Sequence, residues 1–410
     1  MSDQPGPLDP RVERARALHE SGAFQAAADL YAEILGARPE LYEFWRRIGV
    51  DALEQGDLDA AVTILERTAA RAKPARDTHH ALARALRARG DLAGAINHCR
   101  RALDLEPRDA AGRVHLAECL LAAGRFAEGF REFEWRRRLP EVAMPRPPEG
   151  LPPWDGADPA GQKILVAAEQ GFGDTLQFCR FLTVLAARGA RPVLAVPPPL
   201  HGLMESLAGP ERVISRDADL PADCDAWAPL LSLPHLLGLD DVAVDGAYLQ
   251  AAPAVGADPT RDLRVGVAWQ GRVGAKAAKS APFELIAALG ESPGVRLVGL
   301  QKGPAAADAA NLAPETFVDG VAQCEDFAAT AGVMAHLDLV VAADTAVAHL
   351  AGALGLPVWV ALGHNPDWRW MRGRDDSPWY PTARLFRQTR PGDWADVFHR
   401  LGAELAARAG

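Results

Sequence analysis

The hydrophobic pattern of the first third of the chain repeats every 34 residues. A glycine marks each period, at Gly22, Gly56, Gly90 and Gly124. Small residues recur with the same period at two further positions. Five residues after each glycine stand Ala27, Ala61, Ala95 and Gly129, and seven residues before it stand Ala15, Gly49, Ala83 and Ala117. Small side chains at fixed positions let two helices approach closely. The pattern therefore predicts about four stacked helix pairs.

The rest of the chain alternates short apolar runs with helical patterns. Strand-like runs cover residues 163–168, 191–196 and 225–231, and a second series covers 264–269, 295–300 and 339–341. This alternation predicts mainly parallel sheets flanked by helices, in two Rossmann-like halves. Residues 139–161 contain seven prolines and hardly any periodicity, which is typical of a domain boundary.

The fold class predicted for the chain is therefore α followed by α/β. Helical repeats are expected at 1–138, a proline-rich linker at 139–161, a first α/β half at 162–255 and a second at 256–410. A chain of 410 residues is long enough for two or three domains with cores of their own.

Composition and charge limit the kinds of partner and the cellular location that we expect for this protein. Hydrophobic residues make up 49% of the chain and charged residues 24%, as in an ordinary soluble protein. The net charge of -10 argues against a broad surface for nucleic acids or anionic membranes. The first residues contain no apolar signal-peptide core, and no run of about 18 apolar residues occurs. We therefore expect a cytoplasmic protein without a membrane span.

The five cysteines are scattered along the chain. They are odd in number and lack a C-x-x-C spacing, so neither a disulfide framework nor a metal site such as zinc is suggested. A reducing compartment fits this usage best.

Residues 339–363 are the segment whose sequence indicates a functional site most clearly. An apolar run ends at Asp344-Thr345, and apolar residues then return at helical spacing until Gly355. Asp344 is expected where a helix begins, where a side chain can cap free N–H groups and where the same groups can bind a phosphate. His349 lies about one turn further along. From these residues alone, a capping Asp344 and a buried, hydrogen-bonded His349 are an equally good interpretation.

Two common nucleotide sites are disfavoured. Gly171 and Gly173 form a short glycine turn after a strand but lack the third glycine of a dinucleotide fingerprint, and the next strand lacks the acidic residue that binds a ribose. Gly266 and Gly271 have the spacing of a phosphate loop without its Lys-Ser/Thr pair. Nicotinamide chemistry and ATP hydrolysis are therefore not expected, and no cofactor is predicted.

Four segments resemble known families. The repeats, from Arg11 to about Arg137, resemble the tetratricopeptide repeat. The segments 169–178 (EQGFGDTLQF) and 344–355 (DTAVAHLAGALG) resemble glycosyltransferase family 9, the heptosyltransferase-like group with the GT-B fold. The closing run at 367–388 is similar to that of bacterial proteins that join such repeats to such a transferase.

The resemblance implies roles for particular residues. Asp174 matches the family's general base, which takes the proton of the acceptor hydroxyl as it attacks. A simple helix cap is the alternative for Asp174. His349 is the second catalytic candidate, and Gly171 and Gly173 are candidates for a tight turn facing phosphate.

The donor side is expected in the second half. Asp344 and Thr345 match the family's donor-binding signature, and Lys279-Ser280 is the preferred cationic segment, with Lys276 and Arg272 as rivals. Trp269, Gln301 and Lys302 are further candidates for contacts with the nucleotide. A surface role is the alternative for each of them.

The function that the resemblance implies is transfer of a sugar from a nucleotide-sugar donor to a protein acceptor held by the repeats, with inversion and without a metal. One alternative is transfer to a saccharide or to a lipid-linked acceptor. Another is a non-catalytic repeat scaffold with a decayed transferase domain.

Overall fold

The structure, a computed structural model, describes residues 10–21, 23–37, 42–71, 75–146, 148–219, 221, 223–243, 246–252, 262–271 and 280–409. The chain divides into two compact units, Met1–Leu139 and Pro140–Gly410. No helix among the described residues is both long enough and apolar enough to span a membrane.

The first unit is a stack of helix pairs. Its described helices are α1 (Pro10–Glu20), α2 (Phe24–Ala37), α3 (Tyr42–Glu54), α4 (Leu58–Arg71), α5 (Arg76–Arg89), α6 (Leu92–Leu105), α7 (Ala110–Ala122) and α8 (Phe126–Phe133). Each odd-numbered helix packs against the even-numbered helix that follows it, and successive pairs pack on one another.

Each described glycine of the 34-residue period closes the first helix of a pair. Gly56, Gly90 and Gly124 adopt left-handed backbone angles, with φ of 84°, 100° and 76°. At Gly90, the glycine N–H donates to the Arg87 carbonyl, and the following N–H, of Asp91, donates to the Leu86 carbonyl. This pair of bonds is the Schellman motif, which needs a residue without a Cβ penalty at φ > 0. The 34-residue period of glycine follows from one such turn in each pair.

Replacing Gly90 by alanine should destabilise the repeats. A Cβ in the left-handed region costs about 1–2 kcal/mol, and the free energy of unfolding in urea, followed by far-ultraviolet circular dichroism, should fall by that amount. Gly402→Ala is the control, because Gly402 lies in a helix and an added Cβ would make only an ordinary contact, 3.9 Å from Leu289 Cδ2. Equal losses in the two variants would contradict the explanation of the period.

Small residues occur where helices cross most closely. Ala27, Ala61 and Ala95 are fully buried. At the matching position of the last pair, a Cβ added to Gly129 would lie 2.6 Å from Leu121 Cγ, so this crossing has no room even for alanine.

The second unit contains two parallel sheets. The first has β1 (Lys163–Ala167), β2 (Arg191–Val196), β3 (Arg212–Ser215) and β4 (Ala226–Pro229) in the order β3-β2-β1-β4. The second has β5 (Leu263–Ala268), β6 (Val295–Gly299), β7 (Phe317–Asp319), β8 (Leu339–Ala343), β9 (Val358–Leu362) and β10 (Ala383–Arg387) in the order β10-β9-β8-β5-β6-β7. All these pairings are parallel.

Helices connect the strands. They are α9 (Phe172–Phe178), α10 (Phe181–Ala187), α11 (Pro198–Met204), α12 (Leu233–Leu236), α13 (Phe283–Ala287), α14 (Phe327–Met334), α15 (Ala346–Ala353) and α16 (Trp394–Ala409). The predicted fold class, a helical repeat region followed by two parallel α/β halves, is confirmed. One continuous helix expected to run through Leu185 is instead divided into α9 and α10, because bonds to the Cys179 and Arg180 carbonyls tighten to i→i+3 spacing.

The proline-rich segment belongs to the second unit. Trp154 is 5% exposed, and its backbone N–H donates to the Trp227 carbonyl on β4. The Trp154 indole N–H donates to the Ala157 carbonyl. These contacts fix the segment along the outer edge of the first sheet, where it extends the parallel pairing by one bridge, between Pro153 and Trp227.

Candidate functional site

Each sheet has one point where the strand order reverses. In the first sheet it lies between β1 and β4, and in the second between β5 and β8. The loops after the two strands at such a point leave in opposite directions, which opens a crevice at the carboxyl ends where ligands bind in α/β folds. The glycine turn at Gly171 follows β1, Gly271 follows β5 and Asp344 follows β8. The topology therefore brings these predicted residues to the expected crevices.

The two segments that resemble glycosyltransferase family 9, 169–178 and 344–355, lie against each other. Helix α9 packs on α15. The closest approach is at Gly173, where an added Cβ would lie 2.8 Å from His349 Cδ2 and 3.6 Å from Ala346 Cα. Glycine is required because any side chain would displace the imidazole ring. Asp174, on the next position of α9, is thereby placed beside the start of α15.

Gly173→Ala should therefore destabilise the second unit. His349 cannot move aside easily, because its ring is buried, and overpacking of this kind costs about 1–3 kcal/mol. Urea unfolding measures the change. Gly332→Ala on α14 is the matched control, since a Cβ there would meet nothing within 4 Å. A Gly173→Ala protein as stable as the Gly332→Ala protein would show that the two helices are further apart.

Both carboxylate oxygens of Asp174 are engaged. Oδ2 accepts the Gly171 N–H at 2.9 Å, which closes the first turn of α9. Oδ1 accepts a hydrogen bond from Arg369 Nη2 at 2.5 Å. The capping contact expected as the alternative is thus present. The side chain is still 20% exposed, so a substrate can reach it, and its role as a base stays a prediction.

Arg369 holds the residues of the crevice together. Its guanidinium donates to Gln177 Oε1 at 2.8 Å and to Asp367 Oδ1 at 2.9 Å, besides the bond to Asp174. Burial disfavours the charged form, but the Asp174 and Asp367 carboxylates outweigh this effect, so the pKa of Arg369 is raised. Arg369 is therefore permanently charged. From the sequence, Arg369 and its two flanking tryptophans could either stack on a sugar or a base or lock the C-terminal segment onto the first half. The bonds of Arg369 to Asp174 and Gln177 favour the second interpretation.

His349 is held rigidly. Its Nδ1 lies 2.8 Å from Tyr380 Oη, and its ring stacks on Trp370 with centroids 5.2 Å apart. Burial raises the pKa of Tyr380 to about 12, so this hydroxyl keeps its proton. Tyr380 reaches His349 because Gly352 leaves space, since a Cβ there would lie 2.3 Å from the Tyr380 ring. His349 is thus buried, and its Nδ1 is hydrogen-bonded, as the alternative interpretation of this residue expects.

The start of α15 differs from expectation by one residue. Thr345, not Asp344, is the N-cap residue, and its side chain makes no capping bond. Thr345 Oγ1 is buried and has no hydrogen-bond partner among the described residues. A Cβ on Gly271 would lie 3.9 Å from the Asp344 carbonyl oxygen, so the segment after β5 starts beside this helix end.

The cationic segment that we expect beside the donor comes directly after Gly271 in the chain. Arg272, Lys276 and Lys279 lie outside the described residues, and their predicted roles stay predictions. Ser280 is half-buried, and the next residue, Ala281, donates its N–H to the Trp269 carbonyl.

Two predicted donor contacts, those of Trp269 and Gln301, require correction, and a third, that of Lys302, stays a prediction. Trp269 is 2% exposed, packs on Phe283 and donates its indole N–H to Asp308, so its side chain belongs to the core. Gln301 uses its amide on backbone groups: Oε1 accepts the Trp269 and Gln270 N–H groups, and Nε2 donates to the Gln270 and Lys302 carbonyls. Lys302 donates to the Cys324 carbonyl. The first two side chains shape the loop after β5. The ammonium of Lys302 has three donors, and the side chain is exposed, so its contact with the nucleotide stays a prediction.

The C-terminal segment crosses onto the first half. Arg180 is fully buried and donates to the Gln177 carbonyl, to the Trp379 carbonyl and to Tyr248 Oη. Trp368 contacts Phe178. Trp368, Trp370 and Trp379 are at most 2% exposed, so they are structural residues that hold Arg369 in place. No local sequence signal marks Arg180, because its partners come from distant segments.

Comparison with known proteins first concerns the repeats. Residues 12–77 and 86–129 match two models of the tetratricopeptide repeat. The first unit consists of tetratricopeptide repeats. The resemblance found in the sequence is confirmed for this region, and the Schellman turns at Gly56, Gly90 and Gly124 join the two helices of the last three pairs.

Three further proteins are similar to this chain. Protein FlbA of Caulobacter vibrioides is 27% identical over 428 residues, which cover 95% of this chain and 71% of FlbA. A glycosyl transferase family 9 structure from Veillonella parvula is 14% identical, covering 56% of this chain and 87% of its own, with a TM-score of 0.43. ADP-heptose LPS heptosyltransferase II of E. coli is 16% identical, covering 60% and 100%, with a TM-score of 0.44.

Proposed function

We propose that the second unit transfers a glycosyl group from a nucleotide-sugar to a hydroxyl group of a protein that the tetratricopeptide repeats bind. The observation that carries this proposal is the contact between Gly173 and His349. It brings the reversal points of the two parallel sheets together, with a carboxylate on one side of the contact and a helix start on the other. A two-substrate reaction needs such an arrangement, with one substrate on each side.

Asp174 is the proposed general base. As the acceptor oxygen attacks the anomeric carbon, its proton passes to the Asp174 carboxylate. The bond between the anomeric carbon and the phosphate oxygen breaks, and its electron pair leaves with the nucleoside diphosphate. Attack from the side opposite the leaving group inverts the anomeric centre. The 20% exposure of Asp174 supports this role, since the carboxylate is both reachable and oriented by Arg369.

The start of α15 is proposed to face the diphosphate. Its first N–H groups have no acceptor within the helix, and the helix dipole favours negative charge there. Thr345 Oγ1 adds a hydroxyl that is not used by another described residue. These groups stabilise the charge that develops on the leaving diphosphate. Lys279 is an additional proposed cation. His349 is proposed to set the position of α15 against α9.

A donor panel tests the proposal. The full chain is incubated with labelled nucleotide-sugars and a bacterial protein extract, and donor binding is measured by calorimetry. If the label is incorporated into protein, and protease treatment releases it as labelled peptides, the acceptor is a protein. Label in protease-resistant saccharide or lipid would instead assign the alternative acceptor. A chain that binds no nucleotide-sugar would contradict the proposed function and favour a scaffold.

A further inference from the structure

Two cysteines and a histidine form a cluster inside the tetratricopeptide repeats. Cys99 belongs to α6, and His115 and Cys119 belong to the adjacent helix α7. His115 and Cys119 are four residues apart, so they project from one face of α7. Both thiols are fully buried, whereas His115 is partly exposed and leaves a path to solvent. The proposed transfer uses none of these residues.

The ligand atoms are close enough to share one ion. The two sulfur atoms and a ring nitrogen of His115 all lie within 4.8 Å of one another, and Cys99 Sγ is 3.7 Å from His115 Nδ1. Tetrahedral zinc has bonds of about 2.3 Å to sulfur and about 2.0–2.1 Å to nitrogen, which places two ligands about 3.6–3.8 Å apart. The observed separation of Cys99 and His115 therefore matches that of two ligands on one zinc ion.

The surroundings hold the histidine ring in place. His115 stacks on His80, with ring centroids 6.5 Å apart, and His80 Nε2 lies 2.8 Å from Asp109 Oδ2. An ion pair between Arg87 and Glu118 links α5 to α7 beside the cluster. The ligand set is thus largely fixed by the packing of the repeats, which lowers the cost of ordering it around an ion.

Charge favours a soft divalent ion. Thiolate sulfur and imidazole nitrogen are the ligands that zinc prefers, and oxygen-seeking ions such as Mg²⁺ are disfavoured. Two thiolates, a neutral imidazole and a divalent cation together carry no net charge. A loaded site can therefore be buried at less cost than two isolated thiolates.

We propose that Cys99, His115 and Cys119 bind one Zn²⁺ ion, with the fourth coordination position open towards solvent. The ion would tie α6 to α7 and so stabilise the junction between the last two tetratricopeptide repeats. Spacing along the sequence does not indicate this site, because its ligands come from two helices of different repeats.

Cobalt substitution tests the site on the full chain. Reduced, metal-free protein is titrated with Co²⁺, and then Zn²⁺ is added. We expect one Co²⁺ per chain, a sulfur-to-cobalt charge-transfer band, intense tetrahedral d–d bands and displacement by Zn²⁺. Zn²⁺ should also raise the melting temperature of the wild type, because it binds the folded state.

Variants separate this site from unspecific binding. Loss of a residue that only contacts a metal ligand weakens metal binding by about 10- to 100-fold. His115→Ala removes a ligand itself, so it should weaken Co²⁺ binding by more than that. Because His115 is only partly buried, this variant should keep the circular dichroism spectrum of the wild type. Cys324→Ser is the control and should bind as the wild type does. The proposal is overturned if His115→Ala binds with full affinity, if no sulfur band appears, or if Cys324→Ser loses the metal equally.

Discussion

Asp174→Asn should lower the rate of glycosyl transfer by about 10²- to 10⁴-fold, which is what a positioned general base contributes. The asparagine side chain has nearly the same shape, and its oxygen can still accept one of the two hydrogen bonds that Asp174 accepts from Gly171 and Arg369. It cannot accept the proton of the acceptor hydroxyl at neutral pH. The affinity for the nucleotide-sugar, measured by calorimetry, should change little, because the proposed donor site lies at the start of α15 and does not include Asp174.

Asp367→Asn provides the matched control for that variant. It removes the other carboxylate that pairs with Arg369, 2.9 Å from Nη1, and leaves Asp174 in place. We expect a distinctly smaller loss of transfer than in Asp174→Asn. Equal losses in both variants would mean that Asp174 acts only by fixing Arg369. Full activity of Asp174→Asn would exclude Asp174 as the base.

Arg180→Met should strongly destabilise the second unit. The methionine leaves the Gln177 and Trp379 carbonyls without the donor that they share, whereas the Tyr248 hydroxyl keeps its bond to the Leu176 carbonyl. Each buried group left unsatisfied costs about 1–3 kcal/mol, so the free energy of unfolding should fall by about 2–6 kcal/mol. Transfer activity should fall as well, because the segment that carries Arg369 is released from the first half.

Tryptophan fluorescence in urea measures this loss. Of the ten tryptophans, only Trp45 and Trp135 belong to the first unit, so the signal reports mainly on the second. Arg384→Met is the matched control: its ion pair with Glu404 is exposed, and its loss should cost no more than about 1 kcal/mol. A similar midpoint for the two variants would show that the Arg180 contacts do not hold the halves together.

The sequence alone determined the repeat architecture, and it predicted where the chemistry takes place. The glycines at 56, 90 and 124 mark turns that only a residue tolerant of φ > 0 can make, and this requirement is local. The alternation of strands and helices identified both α/β halves. The segments around Asp174 and Asp344 were recognised because strand ends and helix starts carry short, ordered motifs.

Tertiary structure decided which of the predicted residues meet. Gly173 touches His349 because α9 and α15 each follow a strand at a reversal point, and that order is set by sheet assembly. Burial of Trp269 and the backbone bonds of Gln301 corrected two donor contacts, since a strand-end position does not reveal which way a side chain points. Arg369, Arg180 and the Cys99–His115–Cys119 cluster could not be found from spacing. Their partners come from other helices and segments, and only packing brings them within hydrogen-bonding or metal-binding distance.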